Sequence, residues 1–213
     1  MQLDQCPMAK TLKEGVTVRG EEIIVENSDG SLHHVLPYPN PLLNAEGEIA
    51  GAVNVLIDLT EIKKSRLEKD LLYRISQIFS AGDSFNSCVK ATMKEICQYA
   101  GKKYAETWMC DLENGEINLF AEFSVLNQSG SPLKRNKVLI GEGLPGQCWL
   151  KKEPVFLDNI QNNAAAGLEE FARQNNLVTA RAIPLLFKNK VIAVFVFYSD
   201  HKIGINRAVS LSQ

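Results

Sequence analysis

Apolar positions along this chain recur with two different periods, and the switches between them mark its elements. Residues 1–16 show no clear period and read as an irregular lead-in. From Glu22 to Glu26 the sequence is β-rich, and Ser28-Asp29-Gly30 follows as a turn that uses glycine's freedom at positive φ. A second extended segment runs from Ser31 to about Leu43 and contains Pro37, Pro39 and Pro41. Proline cannot donate to a ladder, so this strand is expected at an edge, or to end early. Glu46-Gly47 turns the chain again, and Ile49 to Ile57 makes a third strand. The period then changes to that of a helix. Leu67, Leu71, Ile75 and Ile78, supplemented by Leu72 and Phe79, recur at helical spacing among charged residues from Thr60 to Ala81.

Gly82 breaks that helix, and Asp83 or Ser84 can cap the next. Phe85, Cys88, Val89, Met93, Ile96 and Cys97 follow the i, i+3, i+4, i+7 rule up to Gly101. Tyr104–Leu112 and Ile117–Ser124 read as strands paired around Glu113-Asn114-Gly115-Glu116, and Val125–Lys137 as a polar loop. Gly141 and Gly143 permit a sharp turn, Pro145 suits the first turn of a helix, and Pro154 stops that helix. Val155-Phe156-Leu157 is then a short buried strand. Gln161–Ala166 reads as a loop and Gly167–Asn176 as a short helix. Thr179–Phe187 and Val191–Tyr198 form a last hairpin around Lys188-Asn189-Lys190, and Asn206 onward begins a closing helix. The strand Val191–Tyr198 is apolar at nearly every position, as suits a central strand covered on both faces.

The turn Gly141-Glu142-Gly143-Leu144-Pro145-Gly146, the segment Pro154-Val155 to Asp158, and the hairpin Ala182–Leu186 with Val191–Phe195 together resemble a GAF domain over about 68–213. Upstream, two turns, three strands and Asp58-Leu59-Thr60-Glu61 resemble the C-terminal half of a PAS domain over about 17–60, where a D-[IL]-T signature caps the last strand and launches an output helix. The earlier helices and strands that wall the PAS pocket have no counterpart before Thr17, so the piece looks like part of a longer protein. The resulting architecture is α+β: an antiparallel GAF sheet flanked by helices, preceded by a partial PAS β-meander and a connecting signalling helix. The divisions are an irregular lead-in at 1–16, a partial PAS-like domain at 17–60, a connecting helix at 61–82 and a GAF domain at 83–213.

Composition narrows the function classes. The 213 residues carry 23 basic and 25 acidic side chains, a formal net charge of −2, without a nucleic-acid footprint. The five cysteines are scattered and odd in number, which argues against a disulfide framework or a zinc site and for a cytoplasmic setting. No apolar run approaches the roughly 20 residues needed to span a bilayer, and no signal peptide opens the chain.

Several chemistries bear on the GAF resemblance. Some GAF-fold enzymes reduce free methionine sulfoxide with a cysteine in the turn where Pro145 stands here. Cys148 lies three residues on and is either a core thiol or the nucleophile of such an enzyme. Cyclic-nucleotide-binding members carry Asn-Lys followed by Phe-x-x-x-Asp-Glu. Asn136-Lys137 matches the first part only, and no Cys-His dipeptide marks a bilin site. Strand alternation and helix spacing name Trp108, Phe123, Cys148, Phe171 and Phe197 either as pocket lining or as filled core. Their character predicts a small, largely apolar ligand with few convergent charges. No cofactor or metal is specified. The stripe Leu67, Leu71, Ile75 and Ile78 either packs within its own domain or forms a parallel homodimer seam. The expected function is a non-catalytic sensory input module of the kind found in PAS–GAF sensor histidine kinases of two-component systems. The alternative is a small redox enzyme acting through Cys148.

Overall fold

The computed structural model describes residues 6–28, 30–126, 136–162 and 168–201. Most of the expected loop at 125–137, most of the loop at Gln161–Ala166 and the closing helix from Asn206 lie outside the described residues. The chain divides into two compact units, Met1–Asp70 and Leu71–Gln213.

The first unit opens with a helix where an irregular lead-in is expected from sequence. Helix α1 spans Pro7–Glu14, with proline at its start and Gly15 at φ 69° donating its N–H to the Thr11 carbonyl. Its pattern is too short for periodicity to reveal, and its order comes from lying on strands β2 (Leu32–Leu43) and β3 (Ile49–Asp58), with Pro7 and Thr11 buried. The sheet is antiparallel in the order β1-β2-β3, where β1 is Ile23–Glu26. The proline-bearing strand is therefore central in order and runs its full length. The Leu59 N–H donates to the His34 carbonyl at 2.8 Å, which sets the phase of the ladder. Alternation then points the odd positions Pro37, Pro39 and Pro41 away from β3. β1 pairs only as far as Val35, so the missing donors face a side with no ladder to serve.

At the end of β3 the Asp58 carboxylate accepts the Thr60 N–H at 2.8 Å and lies 2.8 Å from His33 Nδ1, while the His34 N–H donates to Thr60 Oγ1 at 3.0 Å. Bonds from the Thr60 hydroxyl, then its N–H, then His33 hold the Asp58 carboxyl at about 2. This carboxylate caps helix α2, Thr60–Ser80. The boundary between the units falls inside α2, and none of its residues is fully buried. Leu67 and Leu72 are 53% and 61% exposed, whereas Leu71, Ile75 and Ile78 are half-buried.

The second unit is built on a six-stranded sheet in the order β6-β5-β4-β9-β8-β7, antiparallel at every pairing. Its strands are β4 (Tyr104–Asp111), β5 (Glu116–Ser124), β6 (Lys137–Leu139), β7 (Val155–Asp158), β8 (Thr179–Phe187) and β9 (Lys190–Ser199). Helix α3, Phe85–Ala100, is capped by Ser84, whose Oγ accepts the Ser87 N–H, and ends at Gly101 with φ 62°. It covers one sheet face through Val89, Met93 and Cys97 against Ala105, Ala121 and Phe197. Helices α4 (Gly143–Lys151) and α5 (Glu169–Gln174) cover the other. β9 carries apolar residues toward both covers, as its sequence requires. Gly141 and Gly143 take φ of 83° and 59° in the turn before α4. Gly146 serves differently, because a Cβ there would collide with the Leu139 carbonyl oxygen.

Candidate functional site

The sheet face under α4 and α5 brings chemistry together. Tyr104, Glu106 and Trp108 alternate along β4 onto this face, all fully buried. Tyr198 of β9 pairs with Tyr104 and is equally buried. Glu106 Oε2 accepts the Trp108 Nε1–H at 2.9 Å and the Tyr198 hydroxyl at 3.1 Å. The Tyr104 hydroxyl donates to Glu122 Oε2 at 2.9 Å, and Glu122 sits directly opposite Glu106 across the β4–β5 ladder. Burial, followed by the nearby Glu106 carboxylate, raises both tyrosine hydroxyls far above their ordinary range, so they stay protonated donors. Phe171 of α5 closes over them, its ring 5.3 Å from Tyr104 and 6.5 Å from Tyr198 between centroids.

Of the residues named from sequence, Trp108, Cys148 and Phe171 belong to this cluster. Phe123 and Phe197 do not: they pack with Val89, Met93 and Cys97 on the opposite face. The reason is register. Phe123 and Phe197 both pair with Ala105, whose side chain points away from those of Tyr104 and Glu106. Alternation within one strand gives two faces without saying which faces of neighbouring strands coincide. Two acidic residues, Glu106 and Glu122, lie on the same face. The signal was available in Tyr104-x-Glu106-x-Trp108, a polar residue at the buried phase of a strand.

Cys148 is fully buried in α4, and its Sγ donates to the Glu153 carbonyl at 3.4 Å. Burial pushes its thiol up to about 12, outweighing the lowering by the Val155 N–H. At neutral pH it is therefore held as the unreactive thiol. Cys110, packed against the same cluster, is raised by burial to about 11. Among the described residues no group of three or more His, Cys, Asp or Glu side chains is placed to hold a metal. Also among them, no helix is long and apolar enough to cross a membrane.

A six-stranded antiparallel sheet with a Gly-rich turn opening a short helix over one face is the frame in which comparison with known proteins becomes informative. The family model described as GAF domain matches residues 84–208, more than half of the chain. The chain belongs to the GAF family. Three solved structures illustrate the likeness. The nlh2 GAF domain of A. aeolicus, described as in an inactive state, is 17% identical with a TM-score of 0.53, over 65% of this chain and 83% of that one. A GAF domain from a phosphoenolpyruvate-protein phosphotransferase of Coxiella burnetii is 18% identical with a TM-score of 0.52, over 65% and 82%. A free methionine-R-sulfoxide reductase from Neisseria meningitidis, in complex with its substrate, is 17% identical with a TM-score of 0.49, over 65% and 76%. At these identities the likeness is one of fold. Comparison with curated proteins finds no match. GAF domains are mainly regulatory modules that bind small molecules, and the buried face beneath α4 and α5 is the candidate site for that role here.

Proposed function

We propose that this chain is a sensory input module of a signal-transduction protein, in which the GAF domain takes a small molecule and α2 relays the change. The observation that carries this reading is α2 itself. It leaves the β-meander at the Asp58–Thr60 cap and runs without a break into the residues of the GAF unit. The capping geometry supports reading the β-meander as the closing part of a PAS domain, since it gives Asp58 and Thr60 the roles that a D-[IL]-T signature implies. Sensor histidine kinases of two-component systems are the setting that the motif order favours, in the cytoplasm. The half-exposed stripe of α2 is the seam of a parallel homodimer. A regulatory rather than catalytic role is supported by Cys148, whose thiol burial pushes up to about 12.

Hydrogen exchange tests the relay. A compound found by a thermal-shift screen should raise the unfolding temperature of the wild type, and less so that of Phe171→Ala. The same compound should change amide exchange within residues 60–80. Binding that leaves exchange in α2 unchanged would remove the relay from this reading.

A further inference from the structure

We propose that the α3 side of the six-stranded sheet, where it runs past α3 onto β9, β8 and β7, docks an amphipathic helix of a partner protein. That helix carries a carboxylate within its apolar stripe, and Arg181 is the counter-charge.

Arg181 stands between Phe156 and Phe197 in the ladder, so its side chain lies on the face that Phe197 shares with α3, opposite the candidate ligand site. Its guanidinium carbon sits 4.4 Å from the centre of the Phe156 ring. Among the described residues it makes no ion pair, and its Nε is shielded from solvent without a hydrogen-bond partner. Burial alone lowers its pKa, with no carboxylate acting against that shift. A half-buried cation in this state gains from an arriving anion, which restores what solvent no longer supplies.

The fold leaves room for the carrier of that anion. Helix α3 lies on β5 and β4. A helix is roughly 10 Å across and strands are roughly 4.8 Å apart, so one helix covers about two strands. The strip over β9, β8 and β7 therefore has the width of one further helix beside α3. Its lining is apolar: Phe156 and Leu185 are 52% and 44% exposed, and Ile183 and Phe195 are half-buried. A helix with a wholly apolar stripe would cover Arg181 unpaired, whereas a Glu or Asp in the stripe accepts its N–H groups. The same charge disfavours the chain's own residues 202–213, which include Lys202 and Arg207 and no acidic side chain.

A displayed library of helical peptides, with apolar-face positions varied among Leu, Ala, Gln, Glu and Lys, tests this against the full chain. Selection should enrich Glu at the centre of that face. By fluorescence anisotropy the enriched peptides should bind about tenfold more tightly than their Glu→Gln twins. Arg181→Met should erase that preference. Arg181→Lys, which keeps the charge without the planar fork, should reduce it even if Arg181→Met fails to fold. Phe156→Ala, at an exposed ring, should weaken acidic and neutral peptides alike. No enriched peptide, enrichment of neutral or basic faces, or a Glu preference that survives both Arg181 variants overturns the proposal. Light scattering that finds a dimer lost in Phe156→Ala would make a second copy the occupant, and overturns it too.

Discussion

Cys148 shows how its surroundings decide what a thiol can do. It is the sixth of the nine residues of α4, beyond the first turn where a helix N-terminus would lower its pKa; burial raises it to about 12, and its S–H donates to the Glu153 carbonyl. Alkylation with iodoacetamide at pH 8, read by peptide mass spectrometry, should therefore label half-exposed Cys6 first and spare Cys148 until the domain unfolds. Rapid labelling of native Cys148, or reduction of free methionine sulfoxide lost in Cys148→Ser, would restore the enzyme reading. Asp58 carries the opposite shift. Its carboxyl sits at about 2 in the fold against an ordinary 3.8, so its favourable contribution is complete above about pH 4 and is lost as pH falls through 2. Wild type should melt above Asp58→Asn at pH 6, and the gap in Tm should close as pH approaches 2. A gap that stays constant across that window would mean that the bonds to Thr60 and His33 are not what holds this carboxylate.

At the scale of elements, α2 leaves Ile62, Leu67, Leu72, Tyr73 and Phe79 exposed. Its last turns are tied to α3, through Arg74 Nε and Glu95 at 3.3 Å and through the Cys88 thiol to the Ile78 carbonyl. Ile75 and Ile78 in these turns are half-buried. Leu67 is more than half exposed and Leu71 half-buried. Burying such side chains is worth roughly 1.5–3 kcal/mol each, enough for a dimer after association costs of several kcal/mol are met. Light scattering at micromolar concentration should find a dimer, Leu71→Asp should be monomeric, and Lys69→Ala should remain dimeric. A monomeric wild type would assign the stripe to packing within one chain.

For the whole molecule, the division into two units inside a single helix has a direct consequence. Residues 71–213 hold the complete six-stranded sheet and both of its covers. Expressed alone they should keep their secondary structure and unfold in one cooperative transition, seen by circular dichroism and calorimetry. A broad, non-cooperative melt would show that the first seventy residues are part of the same folding unit. Most elements of both units were legible in the sequence because their signals are local: glycine and proline at turns, alternation in strands, helical spacing in α2 and α3, and the Gly141–Gly146 turn that carries the family resemblance. Helix α1 and the three-residue strand β6 were not, since such short segments carry too little periodicity and their order depends on the strands they pack on or pair with. Nor was the composition of the site. Periodicity assigned Trp108 and Phe197 each to a buried face, but only the pairing of β4 with β9 showed those faces to be opposite ones. Sequence by itself determined most of the elements, their order and the family, because these follow from backbone preferences, the period of apolar residues and the motif at Gly141–Gly146. Only the tertiary structure decided that Glu106 and Glu122 share a buried face with Tyr104 and Tyr198, because register between strands distant in sequence is set by packing across the sheet.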